Sequence, residues 1–290
     1  MIDAYLTHLA ILIGIYSILA ISLQLSLGYG GLLNLGHFSF FGIGAYASAL
    51  LSVEGVPFVI CLLFAGMVAA FFGWLLSIAT NKLKGDYSAL VTLGFSFVVY
   101  AVLLNWVALT NGSLGIAGIP RPNFLGIDFS NNLYFLLLVV FIALLSYLFI
   151  RKICSSSFGR ALESTRDDEL AAKLLGKNTT KLKRASLLIA AFFAGISGSL
   201  FAAYITFIDP SSFTFTNLIP ILSIVIVGGL ASLPGTIVAT VVVVLLPEPF
   251  RFIGFPTSIL GPIRQIMYAT ILLLIIYLKP RGFYGKIDLE

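Results

Sequence analysis

Residues able to support chemistry fall into two groups in this sequence. The first is scattered through apolar surroundings. His37 directly follows Gly36. A histidine there is either a neutral side chain hydrogen-bonded to backbone or a proton relay, because polar groups at membrane depth are functional candidates by default. Thr92, Ser96 and Tyr100 recur every four residues and share a helical face, with Asn105 further along the same run. That face either lines a polar path or hydrogen-bonds neighbouring helices. Glu248, bracketed by Pro247 and Pro249, stands three residues before Arg251 and reads as half of an ion pair at a span end. Asp86, after Gly85, reads as an acid opening a helix.

The second group is concentrated. Phe158 to Arg184 is a polar island, and nine of the 17 Lys and Arg residues, with four of the 12 acids, lie between Arg151 and Arg184. Leu162, Leu170, Leu174 and Leu175 recur near helical spacing, which predicts an amphipathic helix with charges on its other face. Glu169, Ala171, Ala172 and Gly176 place small residues on a short helix that ends at a glycine. Such a surface suits docking into another protein's groove.

Absent patterns narrow the function. There is no GxxxxGK[ST] phosphate loop, no HExxH, no GxSxG and no paired-Cys metal spacing. Cys61 and Cys154 form no framework. Catalytic and metal-ligating residues are therefore not assigned. Acids sit almost entirely in loops or at span ends, whereas an ion-coupled transporter keeps a carboxylate inside its bundle. Energy is expected from elsewhere.

The elements that position these residues follow from composition. In 290 residues, 59% are apolar and 10% charged. Soluble domains carry about 25% charge, so the expected class is an all-α polytopic membrane protein. The net charge of +5 comes from basic residues clustered in loops, a topological signal, and no nucleic-acid partner is implied. The first apolar run lacks a basic flank and a cleavage site and reads as a retained span. Spans are expected near 5–27, 36–53, 57–80, 87–109, 132–150, 185–208, 216–230, 235–252 and 262–278, within a single domain over 1–290. The clusters Lys82 with Lys84, Arg151–Arg184, and Lys279 with Arg281 and Lys286 should share the cytoplasmic side, with the C-terminus. Two spans separate the first pair of clusters and four the second. Three spans before Lys82 place the N-terminus outside; a hidden partial crossing within 28–53 would make ten and place it inside. The loop 110–131 is then external, either a plain connection or a surface for an external partner, and the turn around Asp209, Pro210 and Ser212 lies on its side. Pro210 is expected to end a span.

Two segments are broken alike. Gly30-Gly31-Leu32-Leu33-Asn34-Leu35-Gly36 and Gly228-Gly229-Leu230-Ala231-Ser232-Leu233-Pro234-Gly235 both read GGL, one residue, Asn or Ser, Leu, then Gly within two. Glycine-interrupted segments in corresponding halves point to a transporter's path. The candidate translocation path is Gly30, Gly31, Asn34, His37, Thr92, Ser96, Gly228 and Gly229.

The stretches LGYGGLLNLGHFSFFGIGAYASALL at 27–51, KGDYSALVTLGF at 84–95, GRALESTRDDELAAKLLGKN at 159–178 and FAGISGSLFAAYITFIDPSSFTFTNLIPILSIVIVGGLASLPGTIVA at 193–239, with LKPRGFYG at 278–285, resemble the LivM-type permease subunit of branched-chain amino-acid ABC transporters. Monosaccharide permeases resemble the chain more distantly, and urea or short-amide permeases share these motifs. Hydropathy gives about nine or ten spans, and the resemblance implies the inner membrane and a homologous second permease. It also implies two cytoplasmic ATPase subunits that hold ATP and Mg, an external substrate-binding protein, and no cofactor or strong substrate site in this chain. It further implies a coupling helix on the ATPase formed by Gly159, Arg160, Arg166, Asp167, Asp168, Glu169, Ala171, Ala172 and Gly176. Leu170 intervenes between Glu169 and the alanines, so the Glu-to-Gly spacing is one residue longer than the usual Glu-Ala-Ala, three residues, Gly. The other readings are a stand-alone channel or secondary transporter for a small neutral solute, and, more distantly, a membrane enzyme.

Overall fold

In hydrocarbon each backbone N–H and C=O must find its partner within its own segment, so long apolar runs have one solution, the helix. The computed structural model describes residues 2–80, 83, 85–124, 127–249, 257–279 and 281–285; Lys82, Lys84, Arg251 and Lys286 lie outside them. The helices are α1 (Ile2–Gln24, extended by a π-helical turn, Leu25–Tyr29), α2 (His37–Val53), α3 (Phe58–Thr80), α4 (Asp86–Asn105) and the short α5 (Val107–Thr110). They continue with α6 (Asn132–Ser155), α7 (Ser157–Asp167), α8 (Glu169–Leu174), α9 (Thr179–Ile205), α10 (Leu218–Gly228), α11 (Leu233–Leu245) and α12 (Thr257–Leu278). Among the described residues five helices are long and apolar enough to cross a membrane, and four apolar helices are shorter. The chain is an all-α, multi-pass membrane protein.

Contacts along α9 set the directions. His8 Nδ1 lies 2.7 Å from Tyr204 Oη, Ser197 Oγ donates to the Ile15 carbonyl at 2.7 Å, and Gly30 lies beside Ser186. So α1 runs antiparallel to α9, and it starts at the end away from the polar island. Gly195 packs on Ala65 and Ala69, and Gly73 on Ala191, which makes α3 antiparallel to α9 as well. Residues 30–36 climb from the island end into the bundle, where His37 opens α2 beside Leu19 and Ser22. This segment and α2 make one crossing, so residues 28–53 hold no extra partial crossing. Where α2 crosses α9, Gly44 meets Gly195 and Gly198 meets Phe41 so closely that a Cβ on either α9 glycine would strike backbone. Small residues permit that approach in membranes.

α9 is the axis of the bundle: 72% of its apolar window is buried, against 22% for α6. α6 must therefore face lipid or another chain, through Leu137, Phe141, Leu144 and Leu148 among others.

One sequence expectation changes at the end away from the island. α9 stops at Ile205, where Thr206 turns left-handed (φ 63°); Pro210 instead opens a 3-10 turn capped by Asp209. The helix had already ended at a residue that L-side chains rarely allow, so the proline had nothing left to break. Within loop 110–131, β1 (Ile116–Ala117) pairs with β4 (Phe207–Ile208), and β2 (Asn123–Phe124) with β3 (Ile127–Asp128). Glu248 bonds the Tyr5 hydroxyl and lies 3.8 Å from Arg264, on α12.

Candidate functional site: a docking face joined to two broken helices

The polar island is two helices where the leucine spacing predicted one. Ser156 caps α7, accepting from Phe158 N at 3.2 Å and Gly159 N at 3.4 Å. Gly159 packs so tightly against the Cys154 carbonyl that no side chain fits there. α7 ends when Asp168 turns extended (φ −149°, ψ 104°) and becomes the cap of α8, accepting from Leu170 N at 2.8 Å and Ala171 N at 3.0 Å. An aspartate competes for backbone N–H groups in this way wherever a helix can restart. The break separates the leucines. Leu162 is fully buried under α7, whereas Leu170, Leu174 and Leu175 are 66%, 89% and 77% exposed on α8.

α8 closes with a Schellman turn: Lys177 N donates to the Ala172 carbonyl at 3.0 Å and Gly176 N to that of Lys173 at 2.9 Å, with Gly176 at φ 76°. A left-handed residue there favours glycine. Of the two alanines, Ala171 is exposed and Ala172 is buried, so the outward face is leucine-rich rather than built of small residues. Glu169 turns back onto its own chain. It pairs with Lys173 at 2.8 Å and Lys183 at 2.6 Å and accepts from Thr179 Oγ1 at 3.2 Å. Burial pushes its carboxyl up, but the two lysines outweigh this and hold it down at about 2. Arg160 Nη1 donates to the Ser155 carbonyl at 3.1 Å and steadies the start of α7.

Arg166 is the strut. Its Nη1 donates to the Gly28 carbonyl at 2.8 Å, across 138 residues of chain, while Asp167 holds the guanidinium at 2.7 Å. Its aliphatic stem lies where a Cβ of Gly31 would be, and Gly31 takes a left-handed φ of 62°. α7 thus rests directly on the first break. From Leu33 to Gly36 that break is fastened to α4. Leu35 N donates to Thr92 Oγ1 at 3.0 Å, Ser96 Oγ donates to the Leu35 carbonyl at 3.0 Å, and Asn34 Oδ1 accepts from Gly36 N at 3.0 Å. His37, fully buried, has Nε2 2.9 Å from Ser22 Oγ; among the described residues Nδ1 has no hydrogen-bond partner, nor does Asn34 Nδ2. In this conformation Thr92 and Ser96 clasp backbone.

The two breaks meet. Gln24 Nε2 donates to the Gly229 carbonyl at 2.7 Å, and Gly28 packs against the backbone of Ala231. Gly229 (φ 95°) and Ala231 (φ 60°) turn the chain so that Ser232 can cap α11. Beyond α12, Phe283 N donates to the Val227 carbonyl at 2.8 Å and Tyr284 N to that of Gly228 at 3.2 Å, which binds the segment after Lys279 to the second break. Of the sequence candidates, Arg166, Gly31, Gly30, Gly228 and Gly229 come together here. Asn34, His37, Thr92 and Ser96 lie along the arm into the bundle. Gln24 was missed, although a lone amide inside an apolar run was its signal. The leucines of α8 were noticed for periodicity and assigned to the wrong face.

Comparisons with known proteins fit this architecture. The family described as "Branched-chain amino acid transport system / permease component" matches residues 5–277. The high-affinity branched-chain amino acid transport system permease protein LivM of Salmonella typhimurium is 37% identical over 87% of this chain and 65% of its own length. LivM of Escherichia coli K12 is 35% identical over 92% of this chain and 69% of its own. The chain thus spans about two thirds of these relatives. A permease protein of the same named transport system, LivH of E. coli K12, is 25% identical over 95% of this chain and 92% of its own. No solved structure matches.

Proposed function

The chain belongs to the family of permease components of branched-chain amino acid transport systems, and we propose that it forms part of the translocation path of an ATP-driven importer for branched-chain or similar apolar amino acids. The observation that carries the reading is the exposed leucine face of α8, joined through Arg166 to two broken helices that touch each other. Three exposed leucines on a charged loop have no role in a lone chain; they are a knob for a partner's groove. α8 sits on a cytoplasmic ATPase, one of two that hold ATP and Mg, since this chain carries no phosphate loop. When the ATPases close on nucleotide their grooves move, α8 and α7 follow, and Arg166 carries the displacement to Gly28. Both breaks then shift as a unit, and the gap toward a homologous second permease opens to one side or the other. The existence of LivM and LivH as two permease proteins of a named system supports that pairing. The membrane is the inner one, with α7, α8 and Lys279 on the cytoplasmic side. An external binding protein delivers cargo to the face built from β1 and β4.

The test is to purify the tagged chain in mild detergent and identify what accompanies it, then to repeat with Arg166→Met. Two ATPases and a second permease are expected with both forms, and reconstituted Arg166→Met should hydrolyse ATP while importing little leucine. Elution of the wild-type chain alone would overturn the importer reading in favour of a channel.

A further inference from the structure

Between α1, α2, α10, α11 and α12, near the end that carries β1 and β4, lies a cavity of about 440 Å³. This is the size range of small-molecule sites. Most of its wall is apolar, formed by Phe38, Phe41, Phe201, Ile221 and Val243. One corner is charged, with Glu248 just past α11 and Arg264 and Gln265 from α12. We propose that this cavity binds a zwitterionic α-amino acid with an apolar side chain, its carboxylate on Arg264 and its ammonium on Glu248; the proposal rests on the importer reading above.

The geometry of the charged corner carries the argument. Arg264 Nη2 and Glu248 Oε1 are 3.8 Å apart, beyond hydrogen-bond distance, so the pair is open. Glu248 is oriented from the other side by the Tyr5 hydroxyl, which donates to Oε2. Arg264 Nε is buried and has no hydrogen-bond partner among the described residues. A guanidinium with an unused N–H edge is shaped for a carboxylate, and a carboxylate with free lone pairs for an ammonium. Charge sign then selects the ligand class. A simple anion would meet Glu248, a simple cation would meet Arg264, and a neutral sugar or amide would leave the guanidinium and the carboxylate only loosely paired with each other across 3.8 Å. A zwitterion satisfies both at once and leaves its side chain against the phenylalanines. The sequence led us to expect no strong site in this chain, and Arg251, expected there to pair with Glu248, lies outside the described residues.

Thr216 is exposed and lines the cavity, while Cys61 and Cys154 are buried, so Thr216→Cys provides a reporter on a quiet background. In the whole importer carrying Thr216→Cys, maleimide labelling should slow about tenfold at leucine ten times its Kd. Leucinamide, lacking the carboxylate, and 4-methylpentanoate, lacking the ammonium, should not protect. Protection should vanish in Arg264→Met and Glu248→Gln and return in part in Arg264→Lys. Should the charge variants fail to assemble, the three-ligand comparison on Thr216→Cys alone decides. Equal labelling with and without leucine, or equal protection by all three ligands, overturns the site. Failure of the importer reading shows separately, as absent ATP-driven leucine uptake by the wild-type complex.

Discussion

Glu169 shows how one side chain changes meaning between sequence and structure. The resemblance implies a docking helix whose acid directly precedes two alanines; here Leu170 is interposed, and the carboxylate turns inward to Lys173 and Lys183. It therefore fastens α8 to α9 and leaves the leucines to face outward. The linkage has a definite sign. Its folded-state value, about 2, lies below the ordinary 4.5, so its contribution is complete above about pH 4.5 and is lost as pH falls toward 2. Glu169→Gln should lower thermal stability at neutral pH by about 1 kcal/mol, the partial exposure of the pair screening the rest. Melting curves in detergent should show the gap between variant and wild type narrowing as pH falls through that window. A gap independent of pH would remove the ion pairs as its cause. The inward turn was not legible, because Lys183 lies fourteen residues away and reaches Glu169 only after α8 folds back against α9.

At the scale of elements, Asp168 explains why a periodicity that looked continuous was not. Leucines at 162, 170, 174 and 175 fit one helix, and local spacing does not reveal that Asp168 spends its carboxylate on Leu170 N and Ala171 N. The terminating glycine was legible, because a Schellman turn is written in a few adjacent residues, and Gly176 ends α8 as expected. The two broken segments were legible as a pair through their shared GGL pattern. Their contact was not, since Gln24 and Gly229 are 205 residues apart. Because the α8 leucines are solvent-exposed, Leu174→Asp with Leu175→Asp should cost the fold little, within about 0.5 kcal/mol per substitution. It should nonetheless abolish ATPase association. Size-exclusion profiles and pull-downs of the double variant check both halves. Retained association with unchanged ATP-driven uptake would take the docking role away from this face.

For the whole molecule, sidedness ties the parts together. Basic clusters predicted that the polar island and Lys279 share one side, and the packing agrees independently, since Arg166 reaches Gly28 while the chain beyond Lys279 bonds Val227 and Gly228 near the same end. α1 begins at the opposite end, where His8 meets Tyr204 and where β1 pairs with β4. Hydropathy alone left nine or ten crossings open because residues 30–36 are apolar yet not helical; fastened to Thr92 and Ser96, they complete the crossing that α2 starts too deep to make by itself. The arrangement predicts opposite accessibility for two exposed leucines. Leu114, 80% exposed beside β1, lies at the end away from the island, and Leu174, 89% exposed on α8, lies at the island end, which the proposed function puts in the cytoplasm. With both native cysteines buried, Leu114→Cys should react with a membrane-impermeant thiol reagent on intact, wall-stripped cells, and Leu174→Cys only after permeabilisation. Added external binding protein should then protect Leu114→Cys, and co-expressed ATPases should protect Leu174→Cys. Labelling of both from one side would break the odd number of crossings between them, and with it the route by which motion at α8 reaches the breaks.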